Sequence, residues 1–169
     1  MDQSTQTELV ATGSRRGAIA KAAIIVISTF SASAGVLIMS TLASKAELAL
    51  SFVPFTTSIA LVAGAPMSKP ATTRAILIGH FSSAIVGVLT VRFLGTGNVS
   101  GAIAVGIAVA VMLMAQAFHP PAAISPLIIC EYNLGPYFIV MPVLFGAFLV
   151  VLLARFTAEL QRRVKSSLA

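Results

Sequence analysis

Long apolar runs interrupted by proline are the feature of this sequence that most restricts its fold. Such runs fill residues 22–43, 75–94, 101–118 and 137–156. Each is close to the roughly 20 residues that a helix needs to cross a hydrocarbon core of about 30 Å. The chain has only 9% charged residues and a mean hydropathy of +0.98, whereas a soluble domain carries roughly 25% charged residues. The sequence therefore predicts an all-α integral membrane protein.

Two shorter apolar segments begin at prolines, over residues 54–65 and 120–130. Proline removes a backbone donor and clashes with the preceding turn, so each segment predicts a short or re-entrant helix between two full spans. The pattern of full, short and full helix occurs twice, at about 22–94 and about 101–156, which predicts one transmembrane domain built from two repeats. A few identities support the pairing: Phe52-Val53-Pro54 with Phe118-His119-Pro120, and Arg92-Phe93 with Arg155-Phe156.

The basic residues indicate the topology. Six crossings place nine of the eleven lysines and arginines on one face, and four crossings with two re-entrant helices place eight there. That face is the cytoplasmic one by the positive-inside rule, and both chain ends lie on it. We expect residues 1–16 to be disordered, the first helix to be retained rather than cleaved as a signal peptide, and residues 157–169 to form a basic tail. Six crossings make the repeats inverted, as in many transporters, but the charge count leaves four and six open.

Several function classes find no support in the sequence. The net charge of +6 comes without a basic face that carries interleaved aromatic residues, so we expect no nucleic-acid partner. Cys130 is the single cysteine and has no histidine cluster at metal-ligand spacing, so we expect a buried thiol, no disulfide and no metal or other cofactor. No nucleophile with a matching base is recognisable, and we do not expect an enzyme.

Two histidines, His80 and His119, lie in or beside apolar runs. Ionisable groups at membrane depth usually face a cavity or the interior of a helix bundle. Pro121 suits the first position of a helix, which predicts free amides at Ala122, Ala123 and Ile124. Free amides at a helix N-terminus attract anions.

The segment after Pro54 offers a similar site. Its amides are joined by three hydroxyl groups, over the residues Phe55, Thr56, Thr57 and Ser58. In an inverted arrangement the two helix N-termini face each other at the middle of the membrane.

These observations predict a transporter or channel for a small monovalent anion. The two N-termini bind the anion, His80 and His119 line the path and link transport to pH, and Arg74 draws anions toward one mouth. Of the five acidic residues only Glu131 lies near a membrane segment, which favours an anionic or neutral substrate. The alternative is a non-transporting structural or accessory subunit in which the histidines and prolines only pack and kink helices. Channel against carrier, the coupling ion and the oligomeric state, including a homo-oligomer, stay open.

Two blocks of the sequence resemble a known family. Residues Phe118-His119-Pro120-Pro121-Ala122-Ala123 resemble the signature of the HPP family of small membrane proteins. The ordered set Pro54-Phe55-x-x-Ser58, Ala65-Pro66-x-Ser68, Arg74 and Gly79-His80 is similar to that family's first conserved stretch. The chain departs from the family pattern at Thr72-Thr73 and at Ala123.

The resemblance implies about four spanning helices. It also implies nitrite transport, with which plastid and cyanobacterial members are associated. We therefore expect nitrite as the anion and a bacterial or cyanobacterial plasma membrane as the location.

Overall fold

The structure, a computed structural model, describes residues 3–45 and 53–168, with side chains for 15–44 and 54–168. All regular secondary structure in these ranges is helical, which confirms the predicted all-α fold. The six α-helices are α1 (Gln3–Lys45), α2 (Val53–Gly64), α3 (Thr73–Leu94), α4 (Asn98–Met114), α5 (Ile124–Tyr132) and α6 (Phe145–Leu168). Short 3-10 turns at Lys69–Ala71 and Pro120–Ala123 precede α3 and α5.

Three helical stretches of the described chain are long and apolar enough to cross a membrane: Arg15–Ser44, Thr73–Leu94 and Ile139–Leu168. The fourth expected span is shorter, because α4 has 17 residues and ends at Met114 rather than Phe118. The last span is also broken where the sequence predicted a continuous helix. Met141 has non-helical angles (φ −132°, ψ 114°) next to Pro142, which cannot donate a backbone hydrogen bond.

The N-terminal segment differs from expectation. Residues 3–16 were expected to be disordered, but they continue helix α1. The basic tail is helical as far as Leu168. Glu159 pairs there with Arg163 at 2.7 Å, at the i,i+4 spacing that brings side chains together on a helix.

Successive helices run in opposite directions between two faces. At the front face, named here for Pro70, Thr73 and Ala115, α2 and α4 end and α3 begins. The arginine Nη2 of Arg74 donates to the carbonyl of Ala115 at the front face (3.1 Å). At the back face, named for Gly97 and Cys130, the amide of Gly97 donates to the carbonyl of Cys130 (3.2 Å).

The two short helices begin at the same depth and run apart. The ring of Phe55, in the first turn of α2, stacks on His80 with ring centroids 4.7 Å apart. Gly79 lies against Ala122, in the turn that leads into α5. From this level α2 runs to the front face and α5 runs to the back face. With 12 residues, α2 covers only about 18 Å, roughly half the thickness that α3 spans.

The two helix triplets share one packing scheme. Helix α2 packs against α1 and α6, and α5 packs against α4 and α3. When the sequence is aligned with itself at one constant offset, buried residues of the first triplet correspond to buried residues of the second. The corresponding pairs are Pro54 and Pro121, Ser58 and Ser125, Gly79 and Gly146, and Thr90 and Thr157. In this alignment Pro54 corresponds to Pro121, and not to Pro120 as the sequence identities suggested. Arg92 and Arg155, which the sequence identities also paired, lie at different faces. Arg92 is near the back face, whereas Nη2 of Arg155 lies 3.5 Å from the hydroxyl of Thr73 at the front face.

The outside of the bundle is apolar and its interior is partly polar. Large hydrophobic side chains are exposed along the outer helices, among them Phe30 (72%) and Phe93 (78%). Buried polar residues include Ser58, His80 and His119. This distribution is the one a bilayer selects, because lipid solvates apolar surface and polar groups must be satisfied internally.

Candidate functional site

Three buried polar side chains meet where the two short helices begin. The hydroxyl of Ser58 lies 2.9 Å from Nε2 of His80 and 2.9 Å from Nε2 of His119. All three side chains are fully buried, at 0% exposure. The imidazole rings of the histidines are 5.1 Å apart. We call these three residues the His–Ser–His cluster.

The hydrogen bonds of the cluster have one direction when both rings are neutral. Nδ1 of His119 lies 2.7 Å from the carbonyl of Pro70, which can only accept, so Nδ1 carries the proton. Nε2 of His119 is then an acceptor, and the hydroxyl of Ser58 donates to it at 2.9 Å rather than to the more distant carbonyl of Pro54 at 3.2 Å. Because Ser58 has a single proton, its oxygen accepts from Nε2–H of His80. The order of donation is His80 to Ser58 to His119 to Pro70.

The frame around the cluster depends on two glycines. A methyl group at Gly146 of α6 would lie 2.6 Å from ring carbons of Phe55, so the glycine makes room for the ring that stacks on His80. A methyl group at Gly79 of α3 would lie 2.8 Å from Cβ of His119. Contacts this short do not occur between real side chains, so both positions require the small residue.

Two of the three amides predicted to bind an anion at the start of α5 already have hydrogen-bond partners. The amide of Ala122 donates to the carbonyl of His119 (3.0 Å). The amide of Ile124 donates back to the carbonyls of Pro121 and Ala122. A 3-10 turn satisfies amides one residue earlier than an α-helix does, and this turn also contains Ala123. The site therefore rests on side chains rather than on these amides.

The predicted hydroxyl site at the start of α2 is reduced to one residue. Ser58 is buried in the cluster, and Phe55 contributes its ring. Thr56 and Thr57 lie on the exposed side of α2, and the hydroxyl of Thr57 donates to the carbonyl of Pro54 (2.9 Å). Arg74 is exposed at the front face, where it donates to Ala115 at the end of α4.

Sequence reasoning missed two contributors to the site. Pro70 supplies the carbonyl that orients His119, and a backbone acceptor leaves no signature in a sequence. Gly146 supplies space for Phe55. A repeated Pro-x-x-x-Ser spacing, at Pro54 and again at Pro121, aligns the two triplets and would have paired Gly146 with Gly79.

Neither carboxylate among the described side chains is buried. Glu131 is exposed, and Glu159 pairs with Arg162 and Arg163 near the end of α6. The described part of the chain also contains no group of three or more histidine, cysteine or acidic residues placed to hold a metal ion. The cluster is thus a hydrogen-bonded arrangement without a buried carboxylate beside it among the described side chains.

Comparison with known proteins gives a family. Residues 18–166 match the family described as "HPP, transmembrane region". The chain is also 33% identical over 121 residues to a transmembrane protein of Dictyostelium discoideum, covering 66% of this chain and 42% of that protein. A second transmembrane protein of the same organism is 32% identical over 120 residues, covering 66% and 38%.

The chain thus spans less than half the length of these two relatives. No solved structure matches it. A match over residues 18–166 overlaps all three long apolar helices and contains the His–Ser–His cluster. The chain is an integral membrane protein and belongs to the HPP transmembrane region family.

Proposed function

We propose that this protein carries a small monovalent anion across the membrane, with nitrite as the first candidate, and that the anion passes the His–Ser–His cluster. One observation carries the proposal. Two half-length helices begin at the depth of His80 and run to opposite faces, with buried polar side chains between their starts. Helices broken near the middle of the membrane are a recurring way to build a transport site.

We further propose that the two triplets form an inverted repeat with six crossings. Corresponding helices run in opposite directions, and neighbouring helices alternate between the front and back faces. Both chain ends then lie on the front-face side, which also carries Lys69, Arg74 and Arg155. By the positive-inside rule the front face is cytoplasmic. The apolar part of α1, Arg15–Ser44, is the first crossing, and α1 packs against α2 and α6.

The identity of the anion rests on chemistry and on the family resemblance. The cluster offers hydrogen-bonding side chains buried between helices, and such groups can replace part of the hydration of a small anion. The resemblance to nitrite-transporting members points to the same ion. The alternative function, an accessory subunit that moves nothing, predicts no flux from the purified protein.

The test is anion flux into liposomes that contain only the purified protein. Uptake of nitrite is measured beside nitrate, formate and chloride, with protein-free liposomes subtracted because nitrous acid crosses lipid unaided. We expect nitrite uptake at least several-fold above the protein-free value. Ser58→Ala removes the hydroxyl that joins the two histidines and should abolish most of this uptake. Ser82→Ala removes a nearby hydroxyl that bonds only to the carbonyl of Gly79 and should leave uptake unchanged. No flux of any anion, or equal flux in both variants, contradicts the proposal.

A further inference from the structure

One atom of the His–Ser–His cluster has no hydrogen-bond partner. Nδ1 of His80 is buried without a partner among the described residues. The order of donation from His80 to Pro70 places the proton of His80 on Nε2, so Nδ1 is a bare acceptor. The hydroxyl of Ser125, on the neighbouring helix α5, is also buried and unpartnered. Buried polar atoms without partners cost free energy, so this interior favours a bound species that supplies them.

No fixed charge lies at the cluster among the described side chains. Helices α2 and α4 pack around it and contain no charged residue over Val53–Gly64 and Asn98–Met114. The nearest cations on the other packing elements are Lys69, Arg74 and Arg155, and all three are exposed at the front face. An anion that entered alone would be buried without a counter-charge, at a large cost in free energy.

We infer that the cluster takes up a small monovalent oxyanion together with one proton, and that Nδ1 of His80 is the atom that binds this proton. The inference rests on the proposed function and adds its coupling ion. The lone pair of Nδ1 forms the new N–H bond while the O–H bond of a hydronium ion or of the protonated oxyanion breaks. The imidazolium then donates Nδ1–H to the anion and supplies the missing counter-charge. Release of both ions restores the lone pair.

Ser58 connects the two histidines, so the positive charge can pass from His80 to His119 by proton transfer through its hydroxyl group. The Nε2 proton of His80 passes to the oxygen of Ser58 as the hydroxyl proton of Ser58 passes to Nε2 of His119. The charge then resides on His119, and His80 keeps its proton on Nδ1. Reversal of the same two transfers returns the charge to His80, so that loss of the Nδ1 proton with the anion restores the starting arrangement. Both transfers occur over 2.9 Å, within ordinary hydrogen-bond distance.

Joint movement of one proton and one monovalent anion transfers no net charge. At zero membrane potential, a pH gradient should therefore accumulate the anion on the alkaline side. The expected ratio is about tenfold for each unit of pH, because one pH unit corresponds to about 1.4 kcal/mol.

The experiment loads the liposomes described above with a pH-sensitive dye and clamps the membrane potential at zero with potassium and valinomycin. Nitrate is the decisive probe, because its conjugate acid is strong and does not carry protons through lipid. Nitrite and formate serve as further oxyanions and chloride as an ion of a different class. We expect uptake to rise with external acidity and one proton to enter with each oxyanion.

His80→Gln is the informative variant. Glutamine can still donate an amide N–H toward Ser58, but it has no lone pair that takes up a proton. We expect the variant to lose proton movement and dependence on the pH gradient, while Ser82→Ala retains both. Flux that is equally coupled in the parent and in His80→Gln, or flux without protons in the parent, overturns this inference and leaves the proposed function intact. No flux of any anion overturns both.

A second measurement does not depend on transport or on the variant's folding. Nitrogen-15 NMR of the histidine-labelled parent protein at neutral pH reports which ring nitrogen carries the proton. We expect Nε2–H for His80 and Nδ1–H for His119. Nδ1–H on His80, or Nε2–H on His119, overturns the inference.

Discussion

At the scale of single residues, Gly146 has a larger effect than its size suggests. The ring of Phe55 lies between this glycine and the imidazole of His80. A side chain on α6 at this point would push the ring toward His80 and disturb the stack on which the cluster rests. The position of His80 is therefore set partly by the absence of a side chain on another helix.

Gly146→Ala should destabilise the protein by about 1–3 kcal/mol, because the added methyl overpacks a filled interior. Thermal unfolding in detergent measures the loss. Gly106→Ala is the matched control, because a methyl group there meets nothing within 4 Å and alanine is the better helix former. An equal midpoint for the two variants would contradict this account of Phe55.

At the scale of helices, Arg74 joins α3 to the end of α4. Helix ends leave carbonyls without partners, and the guanidinium of Arg74 satisfies that of Ala115 at 3.1 Å. The sequence assigned Arg74 to attracting anions, whereas the structure gives it this capping contact. The two roles are separable by experiment.

Arg74→Leu should cost about 0.5–1.5 kcal/mol of stability through the lost hydrogen bond. Nitrite uptake per folded protein should stay close to that of the parent. Lys69→Leu removes a positive charge from the same face without removing a helix cap, so its unfolding midpoint should not change. A drop in uptake of similar size in both variants, without loss of stability, would show instead that front-face charge attracts the anion.

The number and order of the helices could be predicted from the lengths of the apolar runs and the positions of the prolines. The short helices at Pro54 and Pro120 follow from the chemistry of proline. The sequence placed His80 and His119 along one path, but it did not predict that both contact Ser58. The end of α4 at Met114 and the break at Met141 were not predicted, because mean hydropathy over a whole run does not register the single polar Gln116 or the single Pro142 that follow them. The occupied amides of Ala122 and Ile124 depend on a 3-10 turn rather than an α-turn, a difference that residue types alone do not specify.

At the scale of the whole molecule, the alternation of helix directions fixes which loops share a face. The loop before α3 and the end of α6 lie toward the front, and the loop between α3 and α4 lies toward the back. A four-crossing arrangement with re-entrant short helices would divide these segments differently.

Single cysteines in a Cys130→Ala background test this arrangement. In sealed vesicles of one orientation, a membrane-impermeant thiol reagent should label Ser68→Cys and Ser166→Cys from the same side. Thr96→Cys should be labelled only from the other side. Labelling of Ser68→Cys and Ser166→Cys from opposite sides would exclude six crossings, and nitrite uptake by each variant verifies that it is folded.

The pairing of the two triplets has a further consequence for evolution and engineering. The residue that corresponds to His80 in the second triplet is Ala147, which is equally buried at 0% exposure. One half of the molecule thus keeps the same helical frame with a methyl group where the other half has an imidazole. The two halves therefore differ in chemistry at corresponding positions, since His80 contacts Ser58 and stacks on Phe55 whereas Ala147 offers only a methyl group.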